Sequence, residues 1–173
     1  MTHRLTVKLS IVVLFLISVG IRATTAGQVP TSDPATRAVR AFYTYHLAHN
    51  KNFNVRNIQL RKRFLTAELY DLLMKQLKKQ AAEAKAHPDD APDYEGDPLT
   101  DSQEYPNSFR VGKSEGGGDT SKVSVTLLWS ARTSRGKDKR DIVVEVKKVG
   151  TGWLINDIID HEGKSLAAEL KKS

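Results

Sequence analysis

Val123-Ser124-Val125-Thr126-Leu127-Leu128-Trp129, Asp141-Ile142-Val143-Val144-Glu145-Val146-Lys147 and Gly152-Trp153-Leu154-Ile155-Asn156-Asp157-Ile158-Ile159 follow one another near the C-terminus, and their period decides the fold. Val123, Val125, Leu127 and Trp129 alternate with Ser124, Thr126 and Ser130; Ile142, Val144 and Val146 alternate with Asp141, Glu145 and Lys147; Trp153, Ile155 and Ile159 alternate with Asn156 and Asp160. A period of two marks half-buried antiparallel strands. Gly150-Thr151-Gly152 is a tight turn, and the charged connection 133–140 contains Gly136, so these strands form a meander. A shorter strand over 109–113 precedes them and ends at Glu115-Gly116-Gly117-Gly118.

Upstream the period is helical. Asp33-Pro34 is a helix start, the aspartate accepting from orphan N–H groups and the proline pre-set for the first helical position. Val39, Phe42, Tyr43, His46 and Leu47 then make one apolar face of a helix running to about Ala48. The segment 50–58 has four asparagines and reads as a loop. Thr66 caps a second helix whose buried stripe is Leu65, Leu69, Leu72, Leu73 and Leu77. A short amphipathic helix over 165–171 closes the chain. Helices followed by an antiparallel sheet must each bury one apolar face against the other. The expected fold is therefore α+β, with N-terminal helices packed on a curved four-stranded antiparallel sheet and a short C-terminal helix. Such a curved sheet commonly holds a cavity.

Between these halves, residues 87–106 hold four prolines and seven carboxylates, a composition that resists both helix and strand. A connection of this length in a compact domain is usually functional or mobile.

The N-terminus reads as an address. Residues 1–8 are basic, residues 9–19 are apolar but well short of the ~20 needed for a permanent span, and Thr24-Thr25-Ala26 offers small residues for cleavage. This predicts a signal peptide over 1–26, a polar leader over 27–32 and one domain over 33–173. The protein is expected to be periplasmic or secreted after cleavage near Ala26, without a permanent membrane span. Removing Arg4, Lys8 and Arg22 with the signal leaves 24 basic against 20 acidic side chains, a net of +4, which is too mild for a nucleic-acid partner. The absence of cysteine excludes disulfides, thiol nucleophiles and cysteine metal sites.

Three strings narrow the fold further: Ala41-Phe42-Tyr43-Thr44-Tyr45-His46-Leu47, then Asp97-Pro98-Leu99 with Gln103-Glu104, then Gly152-Trp153-Leu154-Ile155-Asn156-Asp157-Ile158. Together, over about residues 37–170, they resemble the exported bacterial proteins grouped as domain of unknown function 3828, which have a nuclear-transport-factor-like, or cystatin-like, α+β cone. The resemblance implies that fold and an exported location, with no established reaction. Where the family pattern has aspartate after the glutamine, this chain has Glu104.

Candidate chemistry is sparse. Asp97, Asp101 and Glu104 could supply oxygen ligands to calcium, but the spacing lacks the glycine-centred calcium loop. The alternative is turn chemistry, with Asp97 capping a local turn and Gln103 bonding the loop backbone. Asp157 falls by strand parity on the face of Trp153, Ile155 and Ile159, where its charge is disfavoured unless paired. Enzymes of similar cone shape use such a carboxylate as a base, and Tyr43, Tyr45 or His46 could complete that arrangement. Otherwise Asp157 is a strand-end residue reaching solvent or an arginine. The five histidines show no metal spacing, and no motif calls for a cofactor. Two basic clusters, Arg56-Arg61-Lys62-Arg63 and Arg132-Arg135-Lys137-Lys139-Arg140, face solvent or bind envelope polymers, lipid head groups or an acidic protein.

The expectation is thus a non-catalytic exported domain, monomeric or homodimeric, that binds a small ligand or an envelope protein through Tyr43, His46, Asp97, Gln103, Glu104 and Asp157. The alternatives are a small hydrolase, isomerase or dehydratase using Asp157 as base, and a periplasmic immunity or inhibitor protein.

Overall fold

The computed structural model describes residues 33–91, 94, 96–130 and 138–173. The expected signal and leader, and Arg132, Arg135 and Lys137 of the second basic cluster, lie outside them. The order is α1 (Pro34–Ala48), α2 (Val55–Arg61), a 3-10 turn (Lys62–Phe64), α3 (Ala67–Ala86), β1 (Ser108–Gly117), β2 (Thr120–Trp129), β3 (Asp138–Val149), β4 (Gly152–Ile159) and α4 (Leu166–Lys172). The strands pair in sequence order, β1-β2-β3-β4, all antiparallel. The fold is α+β, as the change of period requires.

Caps start the helices, Asp33 and Thr66 as the sequence indicates and Ser165 one residue before a helix expected to include it. Asp33 accepts from the Thr36 N–H at 3.1 Å, Thr66 from Leu69 at 3.3 Å and Ser165 from Ala168 at 3.0 Å. Helix α2 corrects the loop expected over 50–58. Asn54 accepts from the Asn57 N–H at 2.9 Å and starts a helix, while Asn57 is itself buried and bonds Asn50 and the Asn52 carbonyl. Asparagine competes with helix in an interior but favours it at a cap.

One core joins the layers. Val39, Phe42 and Tyr43 of α1 and Leu69, Leu73 and Leu77 of α3 close on Val123, Val125, Leu127, Ile142, Val144, Val146, Ile155 and Ile158 of the sheet. Leu72, expected in the stripe, is only half-buried. The face of the sheet turned toward the helices is therefore filled with side chains.

Two bulges adjust the ladder. In β1 the register shifts between Val111 and Ser114, giving that strand one extra residue, and β1 continues to Gly117 where the sequence suggested a stop near Lys113. Gly116 permits the continuation, since its φ of 117° is costly for other residues. In β4 Glu145 pairs with Asp157 but Val146 with Ile155, so Asn156 is the extra residue. This overturns the parity argument. Ile155 and Ile158, three apart, both turn inward, and Asp157 leaves the face of Trp153 and Ile155.

Candidate functional site

The centre of the molecule holds a polar group that periodicity could not foresee. His46 on α1 is 1% exposed, Arg61 at the end of α2 is 1% exposed and Asp97 in the acidic loop is 3% exposed. The Arg61 Nε–H donates to His46 Nδ1 at 2.6 Å, so the imidazole proton sits on Nε2, which donates to Asp97 Oδ2 at 2.6 Å. A neutral histidine thus bridges a buried cation and a buried anion. The remaining groups are also engaged. Arg61 donates to the carbonyls of Asn57 and Asn50, each at 2.8 Å. Asp97 accepts from the Leu99 N–H at 3.0 Å and the Thr100 hydroxyl at 2.8 Å. Burial lowers the Arg61 pKa, and Asp97 opposes that shift. Tyr43 donates to the Leu99 carbonyl at 2.9 Å, and burial, with the Asp97 charge, holds its hydroxyl well above the ordinary tyrosine range.

This network ties the acidic loop down. Further along, Tyr105 donates to Asn52 Oδ1 at 2.8 Å, the Trp129 indole donates to the Glu104 carbonyl at 2.8 Å and the Asn107 N–H bonds the Leu128 carbonyl at 2.9 Å. Held at these points, residues 96–107 form a fixed ridge. On it Asp101 adopts the left-handed backbone, φ 50°, a conformation costing about 1 kcal/mol or more for a non-glycine residue.

Asp101 faces an open groove of about 670 Å³ between the ridge and the ends of β2 and β3, with Gln103, Glu104, Trp129, Arg140 and His161 along it. Its Oδ2 receives His161 Nδ1 at 2.6 Å and Arg140 at 3.3 Å, and the Arg140 guanidinium lies 5.8 Å from the Trp129 ring centre. The groove is the place in the described structure where charged, aromatic and strained groups meet at the surface.

The residues singled out from the sequence therefore separate. Tyr43, His46 and Asp97 meet in the sealed core, Gln103 and Glu104 are exposed on the groove, and Asp157 stands apart. Asp97, Asp101 and Glu104 do not converge as calcium ligands, because Asp97 turns inward to His46 while Asp101 turns to His161. Among the described residues no group of three or more histidine or carboxylate side chains is placed to hold a metal. Arg61, grouped by sequence with a surface cluster, is buried; only the density of basic residues was visible, and pairing with Asp97 leaves no local signal. Arg140 was visible in sequence only as part of the second basic cluster, and nothing in the pattern paired it or His161 with Asp101.

Asp157 caps the last helix. Its Oδ1 accepts from the N–H of Ala167 at 2.9 Å and of Ile158 at 2.8 Å, and Oδ2 accepts from the Ser165 hydroxyl at 2.5 Å. Asp157→Ala is expected to cost about 0.5–2 kcal/mol, as for other caps, and Asp157→Asn less, because its carbonyl can still receive both N–H groups. Urea titrations of the two variants check this, and equal losses would mean that the charge, not the acceptor geometry, matters.

No family model matches the chain, and no curated protein matches it. Among solved structures it is similar to a chain of the type VI native effector–immunity complex Tae3–Tai3 from Ralstonia pickettii, with 22% identity over 72% of this chain and 92% of that one, at a TM-score of 0.46. It is also similar to a protein of unknown function from Bacteroides thetaiotaomicron, with 20% identity over 72% and 87% of the two chains, at a TM-score of 0.39. No helix among the described residues is long and apolar enough to cross a membrane.

Proposed function

We propose that this chain is an exported, non-catalytic binding domain that receives a small ligand or an envelope protein in the groove beside the acidic ridge. The observation that carries this reading is the ridge itself. A loop of turn-forming composition is anchored through Asp97 to a buried network and holds Asp101 in a strained conformation at an open groove. Fixing a recognition loop before the partner arrives removes the ordering cost of binding. The filled inner face of the sheet and the capping role of Asp157 favour this over a cavity base. An immunity or inhibitor role is a special case in which the envelope protein is a toxin.

Kinship with the exported cone proteins of domain of unknown function 3828 is part of the proposal. Its support is that two of the three strings behind the resemblance bond to each other in the core, through His46 with Asp97 and Tyr43 with Leu99, while the third contributes Ile155 and Ile158 beside them.

A photo-crosslinking side chain at Gln103, compared with one at Ser124 on the outer face of β2, tests the groove in the exporting cell. A discrete adduct is expected from position 103 alone and is expected to vanish in Asp101→Arg. A small ligand would instead appear as a bound mass in native mass spectrometry that the same substitution removes. Neither result, or equal crosslinking from both positions, would sink the reading. N-terminal sequencing of the exported product should begin at Gly27 or within a few residues of it; intact Met1 on a membrane-bound product would overturn cleavage.

A further inference from the structure

Residues 34–67 carry seven arginines and lysines and no aspartate or glutamate, although the chain has 20 carboxylates. This run folds into α1, α2 and the 3-10 turn, so one corner of the helical layer collects positive charge from Arg56, Lys62 and Arg63, all exposed. Arg61 at the same corner is buried and neutralised by Asp97 through His46, so the surface charge comes from its neighbours.

The corner also carries organised aromatic surface. The half-buried rings of Tyr45 and Phe64 lie 5.2 Å apart, His49 stacks on Tyr45 at 4.0 Å, and the Arg63 guanidinium stands 4.7 Å from both the Tyr45 and the Phe64 ring centres. On α2, Val55 is 45% and Leu60 48% exposed. These two and Val149 are the large hydrophobic residues most exposed among those described.

We infer that the α1–α2 corner is a docking surface for an acidic protein, distinct from the groove. Two rings orient the flat face of Arg63, whose planar fork suits a carboxylate in two-point contact. Tyrosine and arginine supply a large share of the energy at protein interfaces, and exposed Leu60 on α2 adds apolar area. A bilayer fits the corner less well. Val55 and Leu60, five residues apart, point about 140° from each other around the helix, so no single apolar stripe is available to enter lipid. A basic surface also attracts an acidic partner at long range, accelerating encounter at low salt.

The test uses the purified protein and three probes: a short labelled peptide alternating glutamate with leucine and tyrosine, its glutamine-for-glutamate counterpart, and vesicles of equimolar phosphatidylglycerol and phosphatidylethanolamine. Fluorescence anisotropy should show salt-sensitive binding of the acidic peptide, weaker by about tenfold or more for the glutamine peptide. The double variant Leu60→Ser Arg63→Gln should weaken it similarly at an unchanged thermal midpoint. Should that variant melt early, Arg56→Gln carries the same expectation for the charge component. Arg140→Gln, in the groove, should leave peptide binding unchanged; a loss there would assign the peptide to the groove and overturn the inference without touching the proposed function. Unaltered binding by the corner variants, no binding at all, or Arg63-dependent vesicle association in place of peptide binding would each overturn it as well.

Discussion

Asp97→Ala is expected to destabilise the protein by about 3–5 kcal/mol, the usual cost of removing one partner from a buried ion pair. The loss would exceed that of a surface carboxylate because Arg61 and His46, each 1% exposed, cannot recover water while the fold persists. Replacing the arginine as well should return part of the loss, since Asp97→Ala Arg61→Met removes the stranded charge and leaves a methionine that fills irregular space. The two are coupled through His46, so the double-mutant cycle should be strongly non-additive. Guanidinium titration reads all of these values. A loss below about 1 kcal/mol for the single variant would show that water reaches Arg61 once Asp97 is gone.

Leu73→Ala should cost about 2–5 kcal/mol, the range for emptying a buried leucine site. Leu73 is 0% exposed on α3, between Leu69, also 0% exposed, and Leu77, so neighbouring side chains cannot collapse into the vacated volume without losing contacts of their own. Leu72→Ala, one position along and half-buried, should cost less. Equal losses in urea titrations would mean that α3 is rotated relative to the arrangement described.

Local signals made most of the fold readable. Asp33-Pro34, Thr66 and Ser165 cap helices because their side-chain oxygens answer the orphan N–H groups wherever an apolar helical period follows. The strands over 120–159 were readable because sheet faces alternate. What failed needed information from elsewhere in the chain. Asn54 and Asn57 look alike in sequence, yet one caps α2 and the other is buried within it. The parity of Asp157 was inverted by Asn156, an extra residue defined only against β3. In the candidate site, Asp97 was legible as a turn former, and it does accept from the Leu99 N–H. Its pairing with His46, 51 residues away, was not, because nothing in either segment's pattern requires the other.

The meander has one margin on β1 and one on β4, and the described residues protect them differently. On β4 the chain between the 3-10 turn and α3 lies alongside, Leu65 bridging Ile155 in parallel and the Thr66 N–H bonding the Ile155 carbonyl at 2.8 Å. On β1 the register shift between Val111 and Ser114 breaks the regular spacing of hydrogen-bonding groups, and exposed Arg110 and Lys113 add charge there. An open, regular margin invites pairing with a second copy and growth into aggregates, and irregularity with positive charge is how natural sheets discourage it. The irregular strand thus carries two features that discourage edge pairing, a register shift and positive charge. Removing the extra residue from β1 and neutralising Lys113 would convert a margin that ends the sheet into one that extends it.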